Sequence, residues 1–261
     1  METKQNVRYY TAPPISILTI IGLVILAVSI FFVCFESSRL GGIVGIIVAL
    51  IWLVFSSGGK SNDTDIDYQA KELTKELQEY NMKKFDVYEK NFLKMLKPVN
   101  LTGYDFEPEE KEFYFKKGND GTSRTNYYAA YNLIFTGEKM YVYGKRISLT
   151  DETKNDTIAF SYKYNELSRA ELEEKIYKSE KNGDITYHVF KIFAENGEAV
   201  IDTCIDYGAD SDKAVEDINR AIKVRRVELQ KRAEEKAIKL REFREKVMAG
   251  TADLPQSDGF I

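Results

Sequence analysis

Two long apolar runs stand almost end to end near the N-terminus, and no other feature limits the possible folds of this chain as strongly. Ile15 to Phe35 is 21 residues without a charge, and Leu40 to Phe55 is a further 16. The segment "ESSRLGG" (36–42) joins them and carries the only charges between, Glu36 and Arg39. As a helix the first run would reach about 31 Å, close to the roughly 30 Å of bilayer hydrocarbon. The second approaches that length when residues 56–59 are added. Pro13 and Pro14 suit a helix start, and Trp52 suits an interface near a helix end. The pattern predicts a transmembrane helical hairpin over 15–58, preceded by an N-terminal segment, 1–14. The apolar run is too long for a signal-peptide core, and a second span follows at once. Gly41 and Gly45 form a GxxxG that serves either helix packing or the turn itself.

Charge sets the expected orientation. Lys4 and Arg8 precede the hairpin and Lys60, Lys71 and Lys75 follow it, whereas the turn holds only Arg39. The positive-inside rule then places both termini in the cytoplasm of a two-pass plasma-membrane protein, with the lipid bilayer as a partner. Beyond the hairpin the charge divides. Residues 61–219 hold 22 Lys/Arg against 32 Asp/Glu, and residues 220–246 hold 11 against 5. An acidic middle excludes nucleic acid as a partner, because phosphate binding needs a concentrated positive field. Cys34 lies in the first apolar run and Cys204 far from it, so no disulfide is expected. The N-x-[ST] sequons at Asn62, Asn100 and Asn155 matter only if the domain is lumenal, and read as chance.

Residues 64–98 read as one connecting helix. Ile66, Ala70, Leu73, Leu77 and Tyr80 keep a 4-3-4-3 spacing, the stripe then shifts by one, and Pro98 stops it. The shift favours docking on the following domain over a coiled-coil seam. From Glu112 the period becomes two. "YYAAYNLIF" (127–135), "MYVYGKRISL" (140–149) and "TIAFSYKY" (157–164) are aromatic strand patterns. "SRAELEEKIYK" (168–178) has a capping box at Ser168 and Glu171, but Asn182-Gly183 before "ITYHVFKIF" demands a preceding strand, so 170–180 is assigned to strand. Asn196-Gly197 marks a second hairpin. A helix begins at Asp210 or Ser211, packs through Val215, Ile218 and Ile222, and continues as an exposed basic extension over 226–248. A loose tail, 249–261, follows.

Six or seven antiparallel strands followed by one amphipathic helix resemble the bacterial pleckstrin-homology-like (PH-like) domains. "LIFTGEKMYVYG" (133–144) stands for the first hairpin of that pattern and "FSYKYNEL" (160–167) for its corner, with Lys139-Met140 where an Arg-Leu is usual. The resemblance covers roughly 108–225. It implies an α+β domain, a bent antiparallel sheet capped by the C-terminal helix, behind the membrane hairpin. It brings no catalytic residues.

Chemistry is sparse. His188 is the only histidine, on a strand, where a structural or surface role is the default. Cys204 reads as a buried, inert thiol. Asp202 and Asp206 read as solvent-facing. "GNDGTSRTN" (118–126) does not fit a phosphate loop. "DTDID" (63–67) lacks the Gly and Glu of a calcium loop and better suits a helix N-terminus. No catalytic, cofactor-binding or metal residue is assigned, and no enzyme is expected. The expected function is a membrane-tethered cytoplasmic binding or scaffolding protein that recognises protein or peptide, or associates with itself. The alternative is a small accessory subunit of a membrane transport or secretion assembly.

Overall fold

A computed structural model describes residues 3–12, 17–35, 39–57, 61–107, 113–179 and 183–249. The prolines 13–14, the turn at 36–38, Asn182 and the tail beyond 249 lie outside the described residues. The architecture is α+β: sheets followed by a C-terminal helix.

The apolar runs form α2 (Ile17–Val33) and α3 (Arg39–Ser57), which pack against each other. Gly42, Gly45 and Ala49 face α2, where an added Cβ at Gly42 or Gly45 would strike Val33 or Ser29. An added Cβ at Gly41 would meet nothing within 4 Å, so the close approach does not use the Gly41/Gly45 pair. Trp52 Nε1 donates to the Leu18 carbonyl at 3.0 Å across the helix pair. The membrane expectation is corrected. Among the described residues no helix is long and apolar enough to cross a membrane. Among the described residues the first run is helical over 17 residues, about 26 Å, and α3 opens on the charged Arg39 and ends at Ser57. The transmembrane hairpin, the bilayer as its partner and the two-pass, both-termini-cytoplasmic placement are overturned with it.

Both ends of this hairpin return to the rest of the molecule. The N-terminal segment is itself a helix, α1 (Thr3–Thr11). Its buried Asn6 donates to Gln69 and to the Leu149 carbonyl, both at 2.7 Å, and accepts from Ser61 Oγ at 2.6 Å. The stretch read as one helix over 64–98 is two, α4 (Asp63–Thr74) and α5 (Leu77–Phe85), with a short 3-10 turn at Glu89–Asn91. Asn62 caps α4 in a reciprocal box with Asp65. The break at Lys75-Glu76 falls between Leu73 and Leu77, where the apolar stripe is still in phase; its one-residue shift comes after Tyr80, within α5. Asp86, in the left-handed region at φ 52°, ends α5.

β1 (Val99–Tyr104), β4 (Tyr127–Phe135), β5 (Lys139–Ser148) and β6 (Asp156–Lys163) form an antiparallel sheet in the order β1-β4-β5-β6. A short hairpin, β2 (Phe115–Lys117) and β3 (Ser123–Thr125), is inserted between β1 and β4. β7 (Leu167–Ser179), β8 (Gly183–Ala194) and β9 (Ala199–Ile205) form the second sheet. Gly183 (φ 76°) and Gly197 (φ 86°) take the positive φ that both hairpin turns need. The helix α6 (Ser211–Met248) follows.

The sheets enclose one core, with Leu133, Phe135, Met140, Phe190 and Ile192 against Ile218, Ala221 and Ile222 of α6. A second core joins Tyr128, Ala130, Ile147 and Leu149 to Tyr9 of α1 and to Ile66 and Ala70 of α4. Each fully buried large apolar side chain contributes about 1.5–3 kcal/mol. The β4 strand is therefore covered on both faces.

The sheets join where β1 crosses β9. Asp206 N–H donates to the Thr102 carbonyl at 2.7 Å. A Cβ on Gly103 would lie 2.6 Å from the Cα and carbonyl carbon of Ile205, so only glycine permits this approach. Gly103→Ala should cost roughly 1–3 kcal/mol in urea unfolding, whereas Gly41→Ala, in open space, should not lower the midpoint. Equal midpoints for the two variants would contradict the close crossing.

Candidate functional site

Two concavities flank the β1–β9 seam and share Ile205 and Asp206 as a wall. The first, of about 680 Å³, lies between α4, the β2-β3 hairpin and strands β8 and β9. At one side stands Arg124, 1 % exposed. Its Nε and Nη2 grip the two oxygens of Asp67, each at 2.7 Å, while Nη1 and Nη2 reach Asp120 at 2.9 and 2.6 Å. Tyr104 OH donates to Asp67 at 2.5 Å. Beside this group, Asp63 accepts Tyr9 OH and the Asn119 N–H, both at 2.7 Å. Thus "DTDID" and "GNDGTSRTN", unremarkable apart, meet around one guanidinium 57 residues from its helical partner. No local periodicity signals that pairing.

Electrostatics follow from the contacts. Partial burial opposes ionisation of Asp67, but hydrogen bonds from Arg124 and Tyr104 outweigh it and hold its pKa below the ordinary range. Arg124 first, and the Thr122 N–H next, hold Asp120 well below that range. Burial, with Asp67 adding, drives the Tyr104 hydroxyl far up. Asp206 keeps an exposed flank. Desolvation of its carboxyl and the nearby Asp67 charge raise its pKa, despite a 3.3 Å bond from Tyr128 OH.

The other sequence candidates are placed as follows. His188 stacks on Tyr207, ring centroids 4.2 Å apart, with Nε2 3.7 Å from Glu174. Cys204 is buried, and burial pushes its thiol up to about 12, far from a reactive thiolate. Both cysteines are free thiols. Asp202 lies 3.8 Å from Lys191. The three sequon asparagines are structural acceptors: Asn62 caps α4, Asn100 accepts from Asn132 at 2.7 Å and Asn155 from the Ser148 N–H at 2.8 Å. Among the described residues no group of three or more His, Cys, Asp or Glu is placed to hold a metal ion.

The second concavity, of about 740 Å³, is a groove between the outer edge of β1 and the first turns of α6. Leu96, Val99, Leu101 and Phe190 supply apolar lining, and Lys94, Lys97 and Lys213 stand among its polar residues. β1 is an edge strand. Because Thr102 offers its carbonyl outward, the alternate residue Asn100 turns its backbone N–H and carbonyl to that same side. The edge of β7 is treated differently. Asn219 of α6 accepts the Ala170 N–H at 2.7 Å and donates to the Ala170 carbonyl at 2.8 Å, so a side-chain amide takes the place of a neighbouring strand.

The Arg124 cluster gives a pH-dependent expectation. Depressed carboxyl pKa values mean that the ionised forms favour the fold. That stabilisation is complete above about pH 4 and is lost as pH falls through the depressed values. Arg124→Met should cost roughly 2 kcal/mol at pH 7, a figure already discounted because Asp67 is a third exposed. The gap from the parent in urea unfolding should narrow below about pH 3. A gap independent of pH would assign Arg124 a packing role instead.

No family model matches the chain, and neither a curated protein nor a solved structure matches it.

Proposed function

We propose that the chain is a binding or scaffolding protein whose sheet domain recognises protein or peptide segments in the groove between β1 and α6. The observation that carries this reading is the outward backbone of Asn100 on β1, beside an apolar floor and ahead of the point where Asp206, just past β9, takes up the Thr102 carbonyl, in a molecule that covers the corresponding groups of Ala170 on β7 with Asn219. An open edge offers main-chain bonds to an extended segment, and adjacent pockets select its alternate side chains. Four strands in meander, three more, and a helix across the end support a PH-like reading of this domain. That fold by itself selects no ligand.

A non-catalytic role fits the chemistry present. The histidine is stacked on a tyrosine and the buried thiol is protonated at neutral pH. The Arg124 carboxylates are committed to a guanidinium. Catalysis needs a base or nucleophile held within reach of a reacting atom, and these groups are turned to structural ends.

The groove is testable without knowing its natural occupant. Peptides selected from a random display library against the full chain should include segments that bind the β1 edge. Asn100→Pro removes one outward N–H, which an edge strand tolerates, and Ala214→Trp fills the groove. Each should weaken those peptides at least about tenfold with the circular dichroism spectrum unchanged, although Asn100→Pro also removes the acceptor of the buried Asn132 and should lower the melting temperature. Selected peptides insensitive to both substitutions, or no binders at all, would overturn the proposal.

A further inference from the structure

The second half of α6 leaves the sheet domain. Ile218, Ala221 and Ile222 are buried, Arg225 donates to the Gly137 carbonyl of the β4-β5 turn, and Arg226 pairs with Glu195. From Lys231 to Ala249 every residue is exposed. At 1.5 Å per residue these last turns extend nearly 30 Å beyond their final contact with the sheets.

The exposed stretch is patterned. At about 100° per residue, Leu229, Ala233, Leu240 and Val247 fall within roughly 20° of one line, with Phe243 and Ala237 about 60° to either side. Leu240 is 52 % exposed, Phe243 46 % and Val247 43 %. The charges are sorted around this line. Arg226, Arg232, Lys236, Lys239, Arg241 and Arg244 all lie within about 100° of it, and no carboxylate does. Glu228, Glu234, Glu235, Glu242 and Glu245 lie about 120° or more away, towards the back, and Lys231 and Lys246 lie there with them. Mixed-sign i,i+4 pairs, such as Lys231/Glu235 and Glu242/Lys246, lie on the back or reach from it to the flanks, whereas a helix that served only to be solvated would carry them around its whole circumference.

We infer that this seam docks an acidic partner helix, one whose own apolar strip is flanked by Asp and Glu. Charge complementarity selects that occupant. Two copies of α6 packed seam to seam would set cations against cations on both flanks, and such juxtaposition disfavours the pairing. A lipid surface suits a wide apolar face with bulky residues and Trp. This strip is narrow, contains two alanines and has no Trp, which suits the 8–10 Å approach of two helices.

The test uses the full chain and two synthetic helical peptides of about three heptads, both with a leucine seam, one flanked by Glu and the other by Lys. The Glu peptide should bind at least about tenfold more tightly than the Lys peptide, and the preference should fade with salt. Arg232→Glu, Lys239→Glu and Arg244→Glu together should exchange the preference, and Leu240→Asp with Phe243→Asp should abolish both interactions. These positions are exposed, and unchanged circular dichroism confirms the fold. Equal binding of the two peptides, or a triple variant that does not exchange the preference, would overturn the inference. So would binding to phosphatidylserine vesicles without peptide binding, or self-association of the chain through this helix.

Discussion

Gly103 stands where β1 crosses β9, and the closure of the two sheets depends on its having no side chain. The neighbouring strand passes where a Cβ would be, with Ile205 backbone atoms 2.6 Å from that position. Three consequences follow from the crossing. The sheets face each other closely enough to share Leu133, Phe190 and Ile192 in one core. The chain leaves β9 at a fixed place, so α6 begins at Ser211 and lies across β7. Ile205 and Asp206 become a wall with a concavity on each side. A backbone constraint at one residue thus positions the groove.

A second layer of polar contacts holds the N-terminal helices to the outer face of the first sheet. Asn6 bridges α1 to α4 and to Leu149, Arg124 joins α4 to the β2-β3 hairpin, and Asn81 of α5 donates to Asn132 of β4. Buried polar groups of this kind are costly when unpaired, so a mismatched docking of the helices would be penalised at several points together. The apolar hairpin α2-α3 is held at its base by the same contacts, through α1 before it and Ser61 after it.

Local signals in the sequence were enough for strands β4 to β9 and for the start of α6, but not for β1 (Val99–Tyr104), which lies ahead of the expected domain start at 108, nor for the short β2-β3 hairpin. Alternating aromatics and glycines at Gly183 and Gly197 locate hairpins because period and φ are properties of a few adjacent residues. The hairpin requirement correctly outranked the helical look of 168–178, which lies within β7. The exposed basic extension was legible through its net charge alone, not through the arrangement of those charges around the helix. Contacts between distant segments were not legible. Nothing near Arg124 announces Asp67, and nothing near Asn219 announces the edge of β7. Hydropathy misled at the N-terminus, since among the described residues no helix is long and apolar enough to cross a membrane. The spacing of Gly41 and Gly45 left packing and turn open, and the structure divides them: Gly45 and Gly42 lie against α2, while Gly41 does not.

The seam is tested most directly by hydrogen exchange at the Asp206 amide, which donates to Thr102 at 2.7 Å and belongs to no strand ladder. With the sheets closed at Gly103, that amide should exchange as slowly as the central amides of β4, through global unfolding. In the Gly103→Ala variant its protection should fall while that of β4 is largely kept. Exchange of the Asp206 amide at the rate of an exposed loop in the parent chain would contradict the crossing and the groove built upon it.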